Sequence, residues 1–280
     1  MTWRELRVDV ERRLGSAVDA GRIVEEACGD DWRLRLDEAV STRAAVYVEQ
    51  MVTRRLAGEP LQYVVGRWGF RRLDLLVDRR VLIPRPETES VVEVALEALE
   101  SFPSRPTVVD LGTGSGAIAL SLAAETSDAK VWATDRSSDA MAVARANLAG
   151  LGRSATRVRL VEGSWFDALP PLLRGTVQLV VANPPYVSEG EMLDLPPEVA
   201  HWEPRQALVS GPTGLEDVEA IVTAAPVWLA RPGAIVVELA PRQAEAAVVL
   251  AVRAGFTEVE IRPDLAGRPR ALYARVGFGS

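Results

Sequence analysis

The stretch Thr107-Val108-Val109-Asp110-Leu111-Gly112-Thr113-Gly114-Ser115-Gly116 decides the fold. Its first half is an apolar run of strand length. Its second half is a glycine-rich turn, after which helical spacing begins. Glycines let the backbone turn tightly there and let a ligand approach where a Cβ would clash. A strand that passes through such a turn into a helix opens a doubly wound α/β sheet, and such sheets bind ligands beyond the carboxyl ends of their strands. The turn alone is shared by NAD, FAD and S-adenosylmethionine sites. Here the spacing is G-x-G-x-G, not the G-x-G-x-x-G of dinucleotide sites, and no Walker lysine follows.

Downstream, apolar runs recur at Lys130–Thr134, Arg157–Val161, Val177–Ala182, Ala234–Leu239 and Ala271–Val276, with helical spacing at 116–125, 138–149, 215–230 and 241–254. Buried strands alternating with helices predict a mainly parallel sheet covered on both faces. The second strand ends at Asp135, 19 residues after Gly116, where a carboxylate can accept both hydroxyls of a ribose. Asp110 stands just before the glycine turn, placed to orient it. Trp165, in Gly163-Ser164-Trp165-Phe166, follows the third strand. Its indole could cover an adenine ring or simply pack in the core.

The fourth strand leads directly into Asn183-Pro184-Pro185-Tyr186. A planar amide or amidine nitrogen is a poor nucleophile because its lone pair is delocalised. The Asn183 side-chain carbonyl and the Pro184 backbone carbonyl can each accept one hydrogen of such an NH₂ group, aiming its lone pair and stabilising charge that builds on nitrogen. The prolines stiffen the turn and offer no competing donor. Tyr186 offers a ring to stack on a flat substrate or to face a cation.

Upstream of the deciding stretch the period changes twice. Residues 1–58 read as helices: one over Trp3, Leu6, Val10 and Leu14, a second over Ala17 to Ala27, and a third with Leu36, Ala39, Val40, Tyr47, Met51 and Leu56 on one face. Residues 59–83 read as a hairpin linker, with strands at Gln62–Val65 and Leu73–Val77 around Gly66 to Arg72. Ile83-Pro84-Arg85-Pro86-Glu87-Thr88-Glu89 is extended, since residues before proline avoid the α region. Residues 84–280 form the α/β domain. The expected architecture is therefore a Rossmann-like sheet with a small helical domain and a β-hairpin linker before it.

Charge is spread unevenly over the 280 residues. Residues 1–80 hold 15 Arg against 14 acids, and residues 81–280 hold 17 Lys/Arg against 25 acids, giving +1 and −8. An acidic catalytic half reads nucleic acid poorly, because neutralising phosphates needs clustered cations. Cys28 and His201 are the only residues of their kinds. No internal disulfide can form, and neither a Cys/His zinc site nor a Ser-His-Asp triad is indicated; no metal is expected. Cys28 reads as a small core residue and His201 as an ordinary one. Without an apolar run of membrane-spanning length or a signal-peptide core, the expected location is the cytoplasm.

Together these motifs resemble the class I methyltransferases that N5-methylate glutamine in peptide chain release factors (PrmC/HemK). The resemblance covers nearly the whole chain: the amino-terminal helices, Ile83–Glu89, the run Asp110–Leu120, Asn183–Tyr186, Trp165-Phe166, Glu203-Pro204 with Ala207-Leu208, and Asp264 with Gly267 and Arg270. It implies a seven-stranded, mainly parallel sheet with an antiparallel last strand at 271–276. It also implies S-adenosylmethionine bound by Gly112, Thr113, Gly114, Ser115, Gly116, Asp135, Trp165 and Asn183, with the substrate glutamine held by Asn183, Pro184, Pro185 and Tyr186. Class I release factors would be the partners, docked with help from the helical domain. Two departures stand out: Ser164 replaces an Asp common in relatives, and Glu238-Leu239-Ala240 replaces Glu-His-Gly. Three rival readings are adenine-N6 methylation of nucleic acid, glutamine methylation of a ribosomal protein, and a non-catalytic nucleotide-binding module.

Overall fold

Three long helices near the amino terminus begin where a short polar side chain can cap them. α1 (Trp3–Leu14) opens on a capping box, in which Thr2 Oγ1 accepts from the Glu5 N–H and Glu5 accepts from the Thr2 N–H. α2 (Ala17–Cys28) is capped by Ser16 and α3 (Thr42–Leu56) by Ser41. Their inward stripes, including Trp3, Leu6, Val10, Ile23, Val24, Val48, Met51 and Val52, bury one apolar core. Cys28 packs half-buried against that core, and burial pushes its thiol pKa up. His201 is exposed.

The third helix is shorter than its apolar pattern predicts. Leu36–Val40 spend their backbone groups on the chain start instead: Arg4 N–H donates to Leu36 O, Trp3 N–H to Glu38 O, and Val40 N–H to Met1 O. Tyr47 and Leu56, placed on the buried face by spacing, are exposed. The hairpin is also displaced. Gln62–Val65, expected as a strand, belongs to the one-turn helix α4 (Leu61–Val65), which starts after Pro60 and stops at left-handed Gly66. Arg54 stabilises that turn by donating to the Tyr63 and Val64 carbonyls. The two-stranded sheet is β1 (Arg67–Phe70) with β2 (Leu73–Leu76).

The computed structural model describes residues 1–277, and they form two compact units: residues 1–68 with 196–202, and residues 69–195 with the chain from 203 onward. The second unit starts with α5 (Thr88–Leu99) and continues with β3 (Thr107–Leu111), α6 (Ala117–Glu125), β4 (Lys130–Asp135), α7 (Ser138–Ala149), β5 (Val158–Glu162) and β6 (Val177–Ala182). The chain then forms α8 (Pro197–Trp202) in the first unit, where Glu198 pairs with Arg55. It continues as α9 (Arg205–Leu208), α10 (Glu216–Trp228), β7 (Leu229–Glu238), α11 (Ala244–Arg253), β8 (Glu258–Pro263) and β9 (Pro269–Val276).

The seven strands run in the order β5-β4-β3-β6-β7-β9-β8, with β9 antiparallel to both neighbours and the other pairings parallel. Six of these strands lie on the expected apolar runs. The seventh, β8, carries Glu258-Val259-Glu260-Ile261 on the sheet edge, where half of its side chains meet water and the apolar run breaks up. Strand order reverses at β3, which lies between β4 and β6. That reversal opens a crevice at the carboxyl ends of the strands.

Candidate active site

Sheet register alone assembles the site. Leu111 pairs with Thr134 on one side and Ala182 on the other, while Thr134 pairs with Val161 and Ala182 with Val237. The next residue along each strand therefore falls on one edge: Gly112, Asp135, Glu162, Asn183 and Glu238. An open cleft is lined by Gly112, Asp135 and Asn183 of this edge.

The glycine turn is held from both ends. Gly112 and Thr113 donate their N–H groups to Thr134 O at 2.9 and 2.8 Å, and Gly114 N–H donates to Asp135 Oδ2 at 2.9 Å. Below it, Asp110 Oδ2 accepts from Thr113 Oγ1 at 2.6 Å and from the Ala119 N–H at 3.1 Å. Asp110 thus ties the turn to the start of α6, as its position before the turn predicts. Its carboxyl is fully buried, and burial pushes it up to about 7.

All three glycines of the turn have positive φ, each for a different reason. A Cβ on Gly112 would stand 3.0 Å from the Trp165 ring, and one on Gly116 would meet Leu120 at 2.9 Å. One on Gly114 would meet nothing within 4 Å, so that edge of the turn is bare backbone facing open space. Asp135 also accepts from the Ser137 N–H at 2.9 Å. Each of its oxygens keeps a lone pair for a hydroxyl. Burial is the main cause of its raised pKa.

Trp165 and Phe166 part company. Phe166 enters the core and stacks on Trp228 with centroids 5.6 Å apart. Trp165 lines the cleft with φ 41, a left-handed conformation that a bulky residue adopts only when its surroundings impose it. Of the two readings left open for Trp165, core packing is met in part, since the indole lies partly buried against the core cluster while it lines the cleft.

Asn183 lines the cleft, and its Nδ2 donates to Thr88 Oγ1 at 3.2 Å. Its Oδ1 accepts no hydrogen bond among the described residues. The Tyr186 carbonyl accepts from Gln243 Nε2 and from Arg242, each at 3.1 Å. Gly214 lies so close beneath it that a Cβ would come within 2.6 Å of that oxygen. The Ile83–Glu89 segment is pinned by buried Glu203, which accepts from the Ile83 N–H and pairs with Arg85.

Gly112, Thr113, Gly114, Ser115, Asp135, Trp165, Asn183 and Pro185 all line the cleft. Gly116, Pro184 and Tyr186 are not among the residues that line it. Gly116 turns the chain into α6. Burial, with the nearby Glu238 second, pushes the Tyr186 hydroxyl up to about 12, so it stays a donor at neutral pH. The sequence reading missed Thr88 as a partner of Asn183, and it named Glu238 only within the Glu238-Leu239-Ala240 departure, without a role. One signal was available: Glu238 ends an apolar strand as Asp135 ends β4. Among the described residues no group of three or more His, Cys, Asp or Glu side chains is placed to hold a metal ion, and no helix is long and apolar enough to cross a membrane.

Residues 90–198 match the family described as methyltransferase small domain, and residues 5–66 match the PrmC N-terminal domain. A solved methyltransferase from Pyrococcus furiosus shares the fold at 18% identity, with a TM-score of 0.52 over 81% of this chain and 98% of that one. The release factor glutamine methyltransferase of Deinococcus radiodurans is 37% identical over the whole of both chains. That of Burkholderia pseudomallei is 40% identical over 93% of this chain and 92% of its own. Identity of that extent, spanning helical unit and sheet alike, shows that this protein belongs to the release factor glutamine methyltransferase family.

Proposed function

We propose that this protein transfers a methyl group from S-adenosylmethionine to the side-chain amide nitrogen of a glutamine, that of the Gly-Gly-Gln motif of class I peptide chain release factors. The observation that carries this reading is the Asn183 amide. Its nitrogen is engaged by Thr88, so its oxygen is the atom left to meet a donor. With the Pro184 carbonyl, it offers two acceptors to an NH₂ group, and the amide nitrogen sheds its extra proton once alkylated. When bound, S-adenosylmethionine supplies a methyl group activated on a sulfonium sulfur. Asp135 would accept the ribose hydroxyls, Gly114 would admit the cofactor against bare backbone, and Trp165 would cover the adenine. Pro185 and Tyr186 would flank the glutamine.

The helical unit would bind the body of the release factor, and the reaction would run in the cytoplasm. Incubation with labelled methyl donor and release factor, ribosomal protein, DNA or buffer tests the reading. A single methyl adduct on the Gly-Gly-Gln glutamine is expected. Label on adenine, or on a ribosomal protein in preference to the release factor, overturns the substrate.

Asp135→Ala is expected to weaken S-adenosylmethionine binding by about ten- to a hundredfold, the worth of a charge-assisted hydrogen bond of ~1.5–3 kcal/mol. Asp135 also holds Gly114 and Ser137, so part of the loss comes from a slackened turn. Asp135→Asn keeps an acceptor and should fall between the two. Calorimetric titration measures all three, and equal affinities would remove Asp135 from the site.

A further inference from the structure

The proposed chemistry leaves two strand-end acids on this edge unused: Glu162, which is exposed, and Glu238. Glu238 is fully buried at the end of β7, and neither carboxylate oxygen has a hydrogen-bond partner among the described residues. A buried carboxylate without a partner opposes folding, so stability does not explain it. Its neighbour across the sheet is Asn183, because Ala182 pairs with Val237. Between them stands buried Thr88 at the start of α5, whose Oγ1 takes the Asn183 Nδ2–H.

We infer that Thr88 and Glu238 are positioning residues that set which atom of the Asn183 amide meets the substrate, through a relay from Asn183 Nδ2 to Thr88 Oγ1 to the Glu238 carboxylate. The inference rests on the amide-acceptor reading above. A hydroxyl has one hydrogen to give and two lone pairs to receive with. Thr88 receives from Asn183, so its own hydrogen needs an acceptor, and the Glu238 carboxyl offers an accepting oxygen whether it is ionised or protonated. Glu238 thus draws the hydroxyl hydrogen away from Asn183. Without that pull, Thr88 could donate to Asn183 Oδ1 and the amide would turn over. The cleft would then present NH₂ to the incoming NH₂, donor against donor. The Glu238 oxygens do not meet Thr88 with full hydrogen-bond geometry. Even so, of the groups around Glu238, that hydroxyl does most to favour the charged form, ahead of Arg270 and Arg85.

The test compares the parent with Thr88→Val, Thr88→Ser, Glu238→Leu and Glu238→Gln, each as the full chain. Single-turnover methylation of the release factor gives the rate. Calorimetry with S-adenosylhomocysteine present gives the affinities of a short Gly-Gly-Gln peptide and its Gly-Gly-Glu counterpart. Thr88→Val and Glu238→Leu should each lower the rate by about ten- to a hundredfold. The preference for glutamine over glutamate should narrow, because a turned amide offers donors that suit a carboxylate. Thr88→Ser and Glu238→Gln, which keep a hydroxyl and an acceptor, should restore most of the rate. Parental rates, or a parental glutamine preference, in Thr88→Val and Glu238→Leu overturn the relay. Should Glu238→Leu fail to fold, the Thr88→Val and Thr88→Ser pair decides alone. A parent that leaves the release factor unlabelled refutes the function itself, a result distinct from variants that match an active parent.

Discussion

Replacing Asn183 by alanine is expected to lower kcat by about a hundred- to a thousandfold, the range found when a preorganised transition-state hydrogen-bond partner is removed. The direction follows from where charge develops. In the ground state an amide NH₂ is satisfied equally well by water, so an acceptor in the cleft adds little to binding. As the nitrogen is alkylated its hydrogens become acidic, and a fixed carbonyl then gains strength without having to reorganise. The loss should therefore appear in kcat more than in KM. Folding should be little affected: the side chain borders the cleft, and its one bond to the protein runs to Thr88. Asn183→Asp makes a sharper contrast. It keeps an acceptor but loses the donor to Thr88 and brings a second carboxylate towards Glu238. Single-turnover rates with release factor and saturating cofactor measure both variants. Alanine at the parental rate would sink the acceptor role.

How far the site could be read from sequence depended on whether its residues act through backbone position or through side-chain neighbours. The glycine turn, Asp110, Asp135 and Asn183 lie at or beside strand ends, and a strand end is visible as the end of an apolar run. Once β3, β4 and β6 are in register, those residues can stand nowhere else. Thr88 and Glu203 come from opposite ends of a long sequence interval and meet the site through single hydrogen bonds, which no periodicity announces. The helical region misled for a related reason. Gln62–Val65 is β-branched and aromatic enough to read as a strand, but Pro60 before it, Gly66 after it and Arg54 on its carbonyls make it one helical turn. Leu36–Val40 continues the apolar stripe of α3, yet its backbone is committed to the chain start. Propensity lost in both places to partners distant in sequence.

The second large effect concerns stability against pH. Burial pushes Asp110 from 3.8 to about 7 and Glu238 from 4.5 to about 7. A raised acid pKa means that the folded chain keeps a proton the unfolded chain has already released, so stability declines as pH rises through that interval. At 1.36 kcal/mol per unit, the fully developed losses above neutrality are about 4 kcal/mol for Asp110 and about 3 kcal/mol for Glu238. Ion-paired carboxylates work the other way. Asp78 beside Arg80 and Glu125 beside Arg71 are held below their ordinary values, so they stabilise above about pH 4 and lose that effect as acid protonates them. Thermal stability should accordingly peak near pH 5 and fall towards pH 8. Arg270 and Arg85 draw the Glu238 titration down and Glu87 pushes it up, so changing those residues should shift the midpoint of the fall. Glu238→Leu removes one of the two buried charges outright. Whatever its packing costs at pH 5, the variant should lose less on going to pH 8, with a relative gain in Tm of roughly 6–12 °C for a unit of this size. If the melting curves of parent and variant move in parallel between those pH values, Glu238 does not titrate in the folded protein. If they diverge as expected while the variant methylates slowly, the acid at the end of β7 is kept for its effect on Asn183 and against the stability of the fold.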